Sequence, residues 1–139
     1  MEFKAYKMDG LGNDFVIIDR REDDVNLSKE QLIKIGNRNN VGFDQIIFIE
    51  KRVNDAFPIK IYNPDGIEVG ACGNGSRCIA YLISKENNQK KIKLEADKRI
   101  LEAEILGGKM VKINMGLTKF KEWKDIPLIE GLDPRKVSI

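Results

Sequence analysis

The sequence predicts a mixed α/β (α+β) fold, and three observations support this. Short apolar runs rich in branched residues, such as residues 14–19 and 44–50, have the length and composition of buried strands. Residues 73–87 instead repeat their apolar side chains at helical spacing. From residue 90 onwards apolar and polar residues alternate, which is typical of strands with one solvent-facing side. The 139 residues suffice for one compact domain.

The first half of the chain is predicted to hold four strands and one short helix. The turn between the first two strands is residues 9–13, which contain two glycines able to adopt positive φ. Ser28 is the expected cap of the helix, because Gln31 follows at the spacing of a capping box. Residues 36–40 end this helix, and Leu32, Ile33 and Ile35 are expected to face a core. The four strands are residues 2–8, 14–19, 44–50 and 57–62.

The second half is predicted to hold one long helix followed by three strands. Residues 63–66 form a turn ahead of the helix at 73–87. Residues 107–108, a pair of glycines, fit a tight two-residue hairpin between the last two strands. The helix presents the apolar stripe Cys78, Ile79, Leu82 and Ile83, and the strands are residues 90–95, 98–106 and 109–115.

Composition excludes several classes of function. Lys and Arg number 24 against 22 Asp and Glu, a balance that argues against a nucleic-acid binder. The absence of histidine excludes a histidine base and disfavours zinc, so no metal is expected. Without a long apolar run or a basic and then apolar leader, we expect no membrane partner and a cytoplasmic location. The two cysteines are then expected to be free thiols.

Cys72 is the main candidate for chemistry, because it stands directly before the predicted helix and is followed by small residues. A helix start carries exposed N–H groups and a partial positive charge, which favour a thiolate and can also hold a ligand carboxylate. A thiol base beside a carboxylate anchor is what α-proton chemistry on an amino acid requires. The alternative is a small buried hydrophobe at a helix cap. Cys78, on the apolar stripe, is expected to be buried and structural.

Three uncharged amides, those of Asn13, Gln45 and Asn63, stand at predicted strand ends or turns. Such amides suit a zwitterionic ligand because they donate and accept without adding charge. The alternative is that each is an ordinary turn or edge residue.

Four segments together resemble diaminopimelate epimerase in sequence, order and spacing. They are residues 7–15 (KMDGLGNDF), 40–45 (NVGFDQ), 63–66 (NPDG) and 72–78 (CGNGSRC). The resemblance implies a mixed or antiparallel sheet curled around a central helix, here residues 73–87. It also implies an N-terminal epimerase domain at residues 1–116, with 117–139 as the start of an inter-domain segment or a second domain. Residues 10–15 disfavour a proline racemase-like relative.

The resemblance further implies an isomerase that interconverts LL- and meso-2,6-diaminopimelate, on the path to lysine and peptidoglycan. Cys72 matches the first of two catalytic thiols, which work from opposite faces of the substrate and need neither pyridoxal phosphate nor another cofactor. Gly73 and Asn74 match anchors for the reacting end of the substrate. Asn13, Gln45 and Asn63 match side chains that hold the substrate.

The chain departs from the family pattern in several places. The motif of the second thiol is absent, so we expect a C-terminal domain or a partner chain to supply it, and the isolated chain to be inactive or nearly so. The alternative is a non-catalytic truncated module, with a possible homodimer through an open sheet edge. Asp9 replaces a histidine, and Ile67 replaces a serine or threonine whose hydroxyl lies beside the substrate loop.

Overall fold

The structure is a computed structural model, and it describes residues 2–116. The predicted segment 117–139, and any cover that it gives to a sheet edge, lie outside the described residues. The elements in chain order are β1 (Ala5–Gly10), β2 (Asn13–Asp19), α1 (Lys29–Gly36), β3 (Gln45–Ile49), β4 (Phe57–Tyr62), β5 (Glu68–Val69), α2 (Gly73–Asn87), β6 (Lys91–Ala96), β7 (Arg99–Gly107) and β8 (Met110–Asn114).

All the described strands belong to one mixed sheet curled around α2. Their order is β1-β2-β3-β4-β6-β7-β8, with the short β5 on β4. Two neighbouring pairs, β2–β3 and β4–β6, are parallel, and the other pairs are antiparallel. Helix α2 contacts both outermost strands, β1 and β8, as well as strands between them. The predicted fold class and the predicted central helix are therefore confirmed.

Strands β2 and β3 are apolar without alternation because both of their faces are covered. Phe15 and Ile17 point to the core around α2, whereas Val16 and Ile18 point to a second core beneath α1. All four side chains are buried. Burial of each such side chain contributes about 1.5–3 kcal/mol relative to exposure. This double burial fixes the register of β2 and β3, and with it the position of the residues at their ends.

Helix α1 has the predicted start but buries a narrower face than expected. Ser28 Oγ accepts from the Gln31 N–H, and the Gln31 side chain accepts from the Ser28 N–H, so the capping box is confirmed. Leu32 is buried and Ile35 partly buried, but Ile33 is 44% exposed, so the prediction for Ile33 was wrong. Adjacent helical residues lie about 100° apart, which turns Ile33 away when Leu32 faces the core.

The glycine turns are tighter than the sequence suggested. Strand β1 runs to Gly10, which pairs with Asn13, so the predicted turn at residues 9–13 contracts to Leu11 and Gly12. Both have positive φ, 49° and 88°. At the other hairpin Gly107 pairs with Met110, so Gly108 and Lys109, not the two glycines, form the loop. The short β5 was not predicted.

The N-terminal end of α2 lies very close to the sheet, and Gly75 permits this approach. A Cβ built on Gly75 would lie 2.5 Å from Ile47 Cδ1 and 3.3 Å from Phe15 Cε1, both in the core. A Cβ on Gly73 would meet nothing closer than 3.9 Å. The close approach at Gly75 therefore fixes how α2 begins relative to β2 and β3.

We expect Gly75→Ala to lower the free energy of unfolding by about 2 kcal/mol, since overpacking a core typically costs 1–3 kcal/mol. The matched control is Gly73→Ala, two residues earlier in the same turn, which should change stability by less than about 0.5 kcal/mol, as at sites without tight contacts. Urea denaturation followed by far-UV circular dichroism measures both. Equal stability of the two variants would contradict this account of the helix docking.

Candidate active site

Cys72 is the N-cap residue of α2. Its backbone is extended, with φ −147° and ψ 111°, and its Sγ accepts a hydrogen bond from the Gly75 N–H at 3.4 Å. The residue is partly exposed, unlike the fully buried cap cysteine of the alternative interpretation. The first N–H groups of a helix lack partners within the helix and carry the positive end of its dipole. Sγ of Cys72 therefore lies among the exposed N–H groups at the start of α2.

Cys78, in contrast, lies inside the core around α2 and is only 6% exposed. Burial raises the pKa of its thiol to about 11, and the nearby Asp9 adds to the increase. Both cysteines are free. The expected structural burial of Cys78 and the expected pair of free thiols are confirmed. Burial and the raised pKa both disfavour Cys78 as an acid–base group near neutral pH.

Sheet topology brings the three candidate amides to the same end of the sheet. Asn13 begins β2 and Gln45 begins β3, and these strands are parallel. Asn63 directly follows β4, which runs antiparallel to β3. The Gln45 Nε2 donates to Asn63 Oδ1 at 3.3 Å. Asn13 is joined to the start of α2, because Asn74 Nδ2 donates to its Oδ1 at 2.6 Å.

Every candidate site residue therefore lies at the end of the sheet where α2 begins. Gly73 and Asn74 are the first two residues of α2 after the Cys72 cap, and all three are partly exposed. Gly73 has no side chain, so its backbone is approachable. The nearest atoms to a Cβ built on Gly73 lie 3.9 Å away. The arrangement brings a thiol, helix-start N–H groups and neutral amides to the same end of the sheet. The role of each residue remains a prediction.

A charged cluster beside the amides was not anticipated from the sequence. Arg38 donates to Asp14 Oδ1 at 2.8 Å and to Asp44 Oδ1 at 3.0 Å, and Lys7 Nζ donates to Asp14 Oδ2 at 2.8 Å. The Arg38 and Lys7 hydrogen bonds hold the pKa of the Asp14 carboxyl well below its usual range. The Asp44 carboxylate also accepts from Asn13 Nδ2 at 3.1 Å. Asp14 and Asp44 each stand next to a predicted amide in the sequence, a signal that could have revealed them.

Other surface features do not extend this site. A concavity of about 730 Å³ is lined mainly by residues of β6–β8, and its lining includes none of the candidate site residues. Within residues 2–116, no group of three or more His, Cys, Asp or Glu side chains is arranged to hold a metal. No helix in the same range is both long and apolar enough to cross a bilayer.

Solved structures with similar folds define the broad class. The PhzF-family phenazine biosynthesis protein of Bacillus anthracis matches 76% of this chain and 36% of its own, with a TM-score of 0.57 and 21% identity. A protein of Pseudomonas aeruginosa described as a predicted epimerase matches 76% and 40%, with a TM-score of 0.56 and 15% identity. At these identities the likeness concerns the fold alone, which is that of the PhzF and epimerase-like proteins.

The sequence comparisons narrow this class to one family. The family model for diaminopimelate epimerase matches residues 5–121. The diaminopimelate epimerase of Pelagibacter ubique is 47% identical over the whole of this chain, and that of Acidiphilium cryptum is 41% identical over 91% of it. The chain belongs to the diaminopimelate epimerase family. It spans about half the length of these relatives, 50% and 46%.

Proposed function

We propose that this chain supplies one half of an amino-acid epimerase that interconverts LL- and meso-2,6-diaminopimelate without a cofactor. Cys72 is one of two acid–base thiols, and a C-terminal domain or a partner chain carries the other. The observation that supports the proposal is the partly exposed Cys72 at the N-cap of α2, at the end of the sheet that also carries the amide pairs Gln45–Asn63 and Asn74–Asn13. Membership of the family supports the choice of substrate.

The position of Cys72 suits proton abstraction from an α-carbon. In this proposal Sγ acts as the base: the Gly75 N–H donates to it, and it lies at the positive end of the α2 dipole. A thiolate on one face of the α-carbon removes the proton, and a thiol on the opposite face returns one. Inversion needs both groups, because a single thiol returns the proton to the face from which it came.

The start of α2 also suits the carboxylate next to the reacting carbon. Removal of the α-proton shifts negative charge onto that carboxylate, and preorganised N–H donors stabilise such charge. Gly73 and Asn74 supply these donors, one from the backbone and the other from backbone and side chain. Asn13, Gln45 and Asn63 hold the zwitterionic substrate through neutral hydrogen bonds.

Two of the departures from the family pattern, those at Ile67 and Asp9, are compatible with this role. Ile67 lacks the usual hydroxyl, but the loop is closed by its backbone: Asn63 N donates to Ile67 O at 2.9 Å, and Ile67 N donates to Asp65 Oδ1 at 2.9 Å. The Ile67 side chain is 55% exposed. Asp9 lies on β1 opposite Asp14, at the hairpin that leads to Asn13.

The proposal includes a domain assignment and a cellular role. Residues 1–116 form the N-terminal epimerase domain, and residues 117–139 begin the connection to the second domain. The enzyme acts in the cytoplasm, in the biosynthesis of lysine and peptidoglycan.

An epimerisation assay on the chain with and without a second half tests the proposal. We expect the chain alone to turn over diaminopimelate at least ~10²-fold more slowly than the same chain joined to the C-terminal half of the Pelagibacter ubique relative, because one acid–base group is worth 10²–10⁴. Interconversion of the LL and meso isomers is followed by chiral chromatography. No turnover by the joined chain would contradict the assigned activity, and equal turnover by the chain alone would contradict the need for a second thiol.

A further inference from the structure

A directed series of hydrogen bonds links the start of α2 to the charged cluster. An Arg77 N–H donates to Asn74 Oδ1, and Asn74 Nδ2 donates to Asn13 Oδ1 at 2.6 Å. Asn13 Nδ2 in turn donates to Asp44 Oδ2 at 3.1 Å. We call these four residues the amide relay. It begins at a group that can only donate, the guanidinium, and it ends at a group that can only accept, the carboxylate.

The two charged ends fix the orientation of both amides. If the Asn13 amide turned over, its Oδ1 would face the Asp44 carboxylate, and two acceptors would oppose each other. If the Asn74 amide turned over, its Nδ2 would face the Arg77 guanidinium, and two donors would oppose each other. Hydrogen bonds to charged groups are about twice as strong as neutral ones, so each end selects one orientation of its neighbour.

This orientation determines which atoms remain for a ligand. Each asparagine oxygen accepts within the relay, and each Nδ2 uses one of its two hydrogens there. Among the contacts of residues 2–116, one N–H on Asn74 and one on Asn13 stay unused. Two neighbouring donors beside a helix start match an acceptor group, namely a carboxylate, and do not match an ammonium group.

We propose that Arg77 and Asp44 are positioning residues that turn the Asn74 and Asn13 amides so that N–H donors face the ligand. They thereby select the carboxylate end of an amino-acid substrate over its ammonium group. This inference rests on the proposed function, but it assigns roles to two residues that need not touch the substrate. Arg38 bonds to the other oxygen of Asp44, so it supports the cluster without being part of the amide relay.

Four variants of the chain joined to the Pelagibacter ubique C-terminal half test the proposal. Asp44→Asn replaces a charged group that can only accept by a neutral group that can also donate, and Arg77→Met removes the donor at the other end. Each should raise the KM for diaminopimelate about tenfold, the loss expected when a charge-assisted hydrogen bond is removed. Two variants are controls: Arg38→Met breaks ion pairs of the same cluster, and Arg77→Lys keeps a donor. Each should change KM less than about threefold, which corresponds to the free energy of an exposed ion pair.

A spectroscopic readout separates positioning from a loss of local structure. In ¹⁵N-resolved spectra, Asp44→Asn should shift the side-chain NH₂ signals of Asn13 and also of Asn74, which Asp44 does not contact, whereas Arg38→Met should shift them less. The proposal would be overturned if Asp44→Asn raised KM no more than Arg38→Met does. It would also be overturned if Asp44→Asn left the Asn74 side-chain signal unmoved.

Ligand titrations distinguish failure of this inference from failure of the proposed function. Diaminopimelate should shift the Asn13 and Asn74 side-chain signals of the joined chain, and 1,5-diaminopentane, which lacks the carboxylates, should not. If this selectivity is found without epimerisation, the amide relay stands and the proposed activity fails. If the enzyme is active but 1,5-diaminopentane shifts both signals as diaminopimelate does, the inference about the amide relay is wrong and the proposed activity is supported.

Discussion

Replacement of Cys72 by alanine in the joined, full-length form is expected to lower the rate of epimerisation about 10³-fold or more, in the upper range of acid–base catalysis. The reason is that no other thiol in the described residues can serve: Cys78 is buried, and its pKa is raised to about 11. The rate is measured by chiral chromatography of the LL and meso isomers.

Two control variants separate the chemistry of Cys72 from its structural role. Cys72→Ser retains a side-chain acceptor at the N-cap, where serine is a preferred residue, so the helix should remain stable. It should nevertheless be as inactive as Cys72→Ala, because a hydroxyl is far less acidic than a thiol. Cys78→Ala should retain most of the activity. Turnover by Cys72→Ser close to that of the unchanged protein would show that the sulfur serves only as a cap.

Alkylation by iodoacetamide at pH 8 is expected to modify Cys72 at least ~100-fold faster than Cys78, because the thiolate is the reacting species. A pKa of about 11 leaves only about one Cys78 thiol in a thousand ionised at this pH. Burial of Cys78 reduces its reactivity further, whereas Cys72 is partly exposed. Mass spectrometry of digested samples over time gives the two rates.

The two single-cysteine proteins provide the controls for alkylation. Cys78→Ala should be labelled once, at the rate of Cys72 in the unchanged protein. Cys72→Ala should be labelled slowly, and its labelling should accelerate on unfolding in urea, when Cys78 becomes exposed. Equal rates at the two cysteines of the folded protein would contradict activation of Cys72 by the helix start.

Local sequence signals predicted most of the elements, because each depends on neighbours in the chain. The capping box at Ser28 and the glycine-rich start of α2 are such signals, and both helices begin where these signals place them. Ile33 was misassigned because an apolar residue next to Leu32 does not have to share its face. The two-residue β5 is too short to leave a periodic pattern.

The convergence of the site depends on strand pairing, which the local pattern does not encode. Asn13 and Gln45 lie at the same end of the sheet only because β2 and β3 are parallel, a pairing that becomes visible in three dimensions. The amide relay depends further on the directions of side chains on α2, on β2 and in the loop before β3. The resemblance of four segments to the family identified the candidate residues without any information about their positions in space. The structure supplies the contacts among them.

Loss of the substrate α-proton in D₂O tests the central claim most directly, namely that the Cys72 thiolate removes this proton from one face of the α-carbon. The joined chain should exchange the α-proton for deuterium from both the LL and the meso isomer. In Cys72→Ala, exchange should fall about 10³-fold for the isomer whose α-proton faces Cys72, while the opposite thiol still deprotonates the other isomer. Unchanged exchange from both isomers in Cys72→Ala would contradict the account.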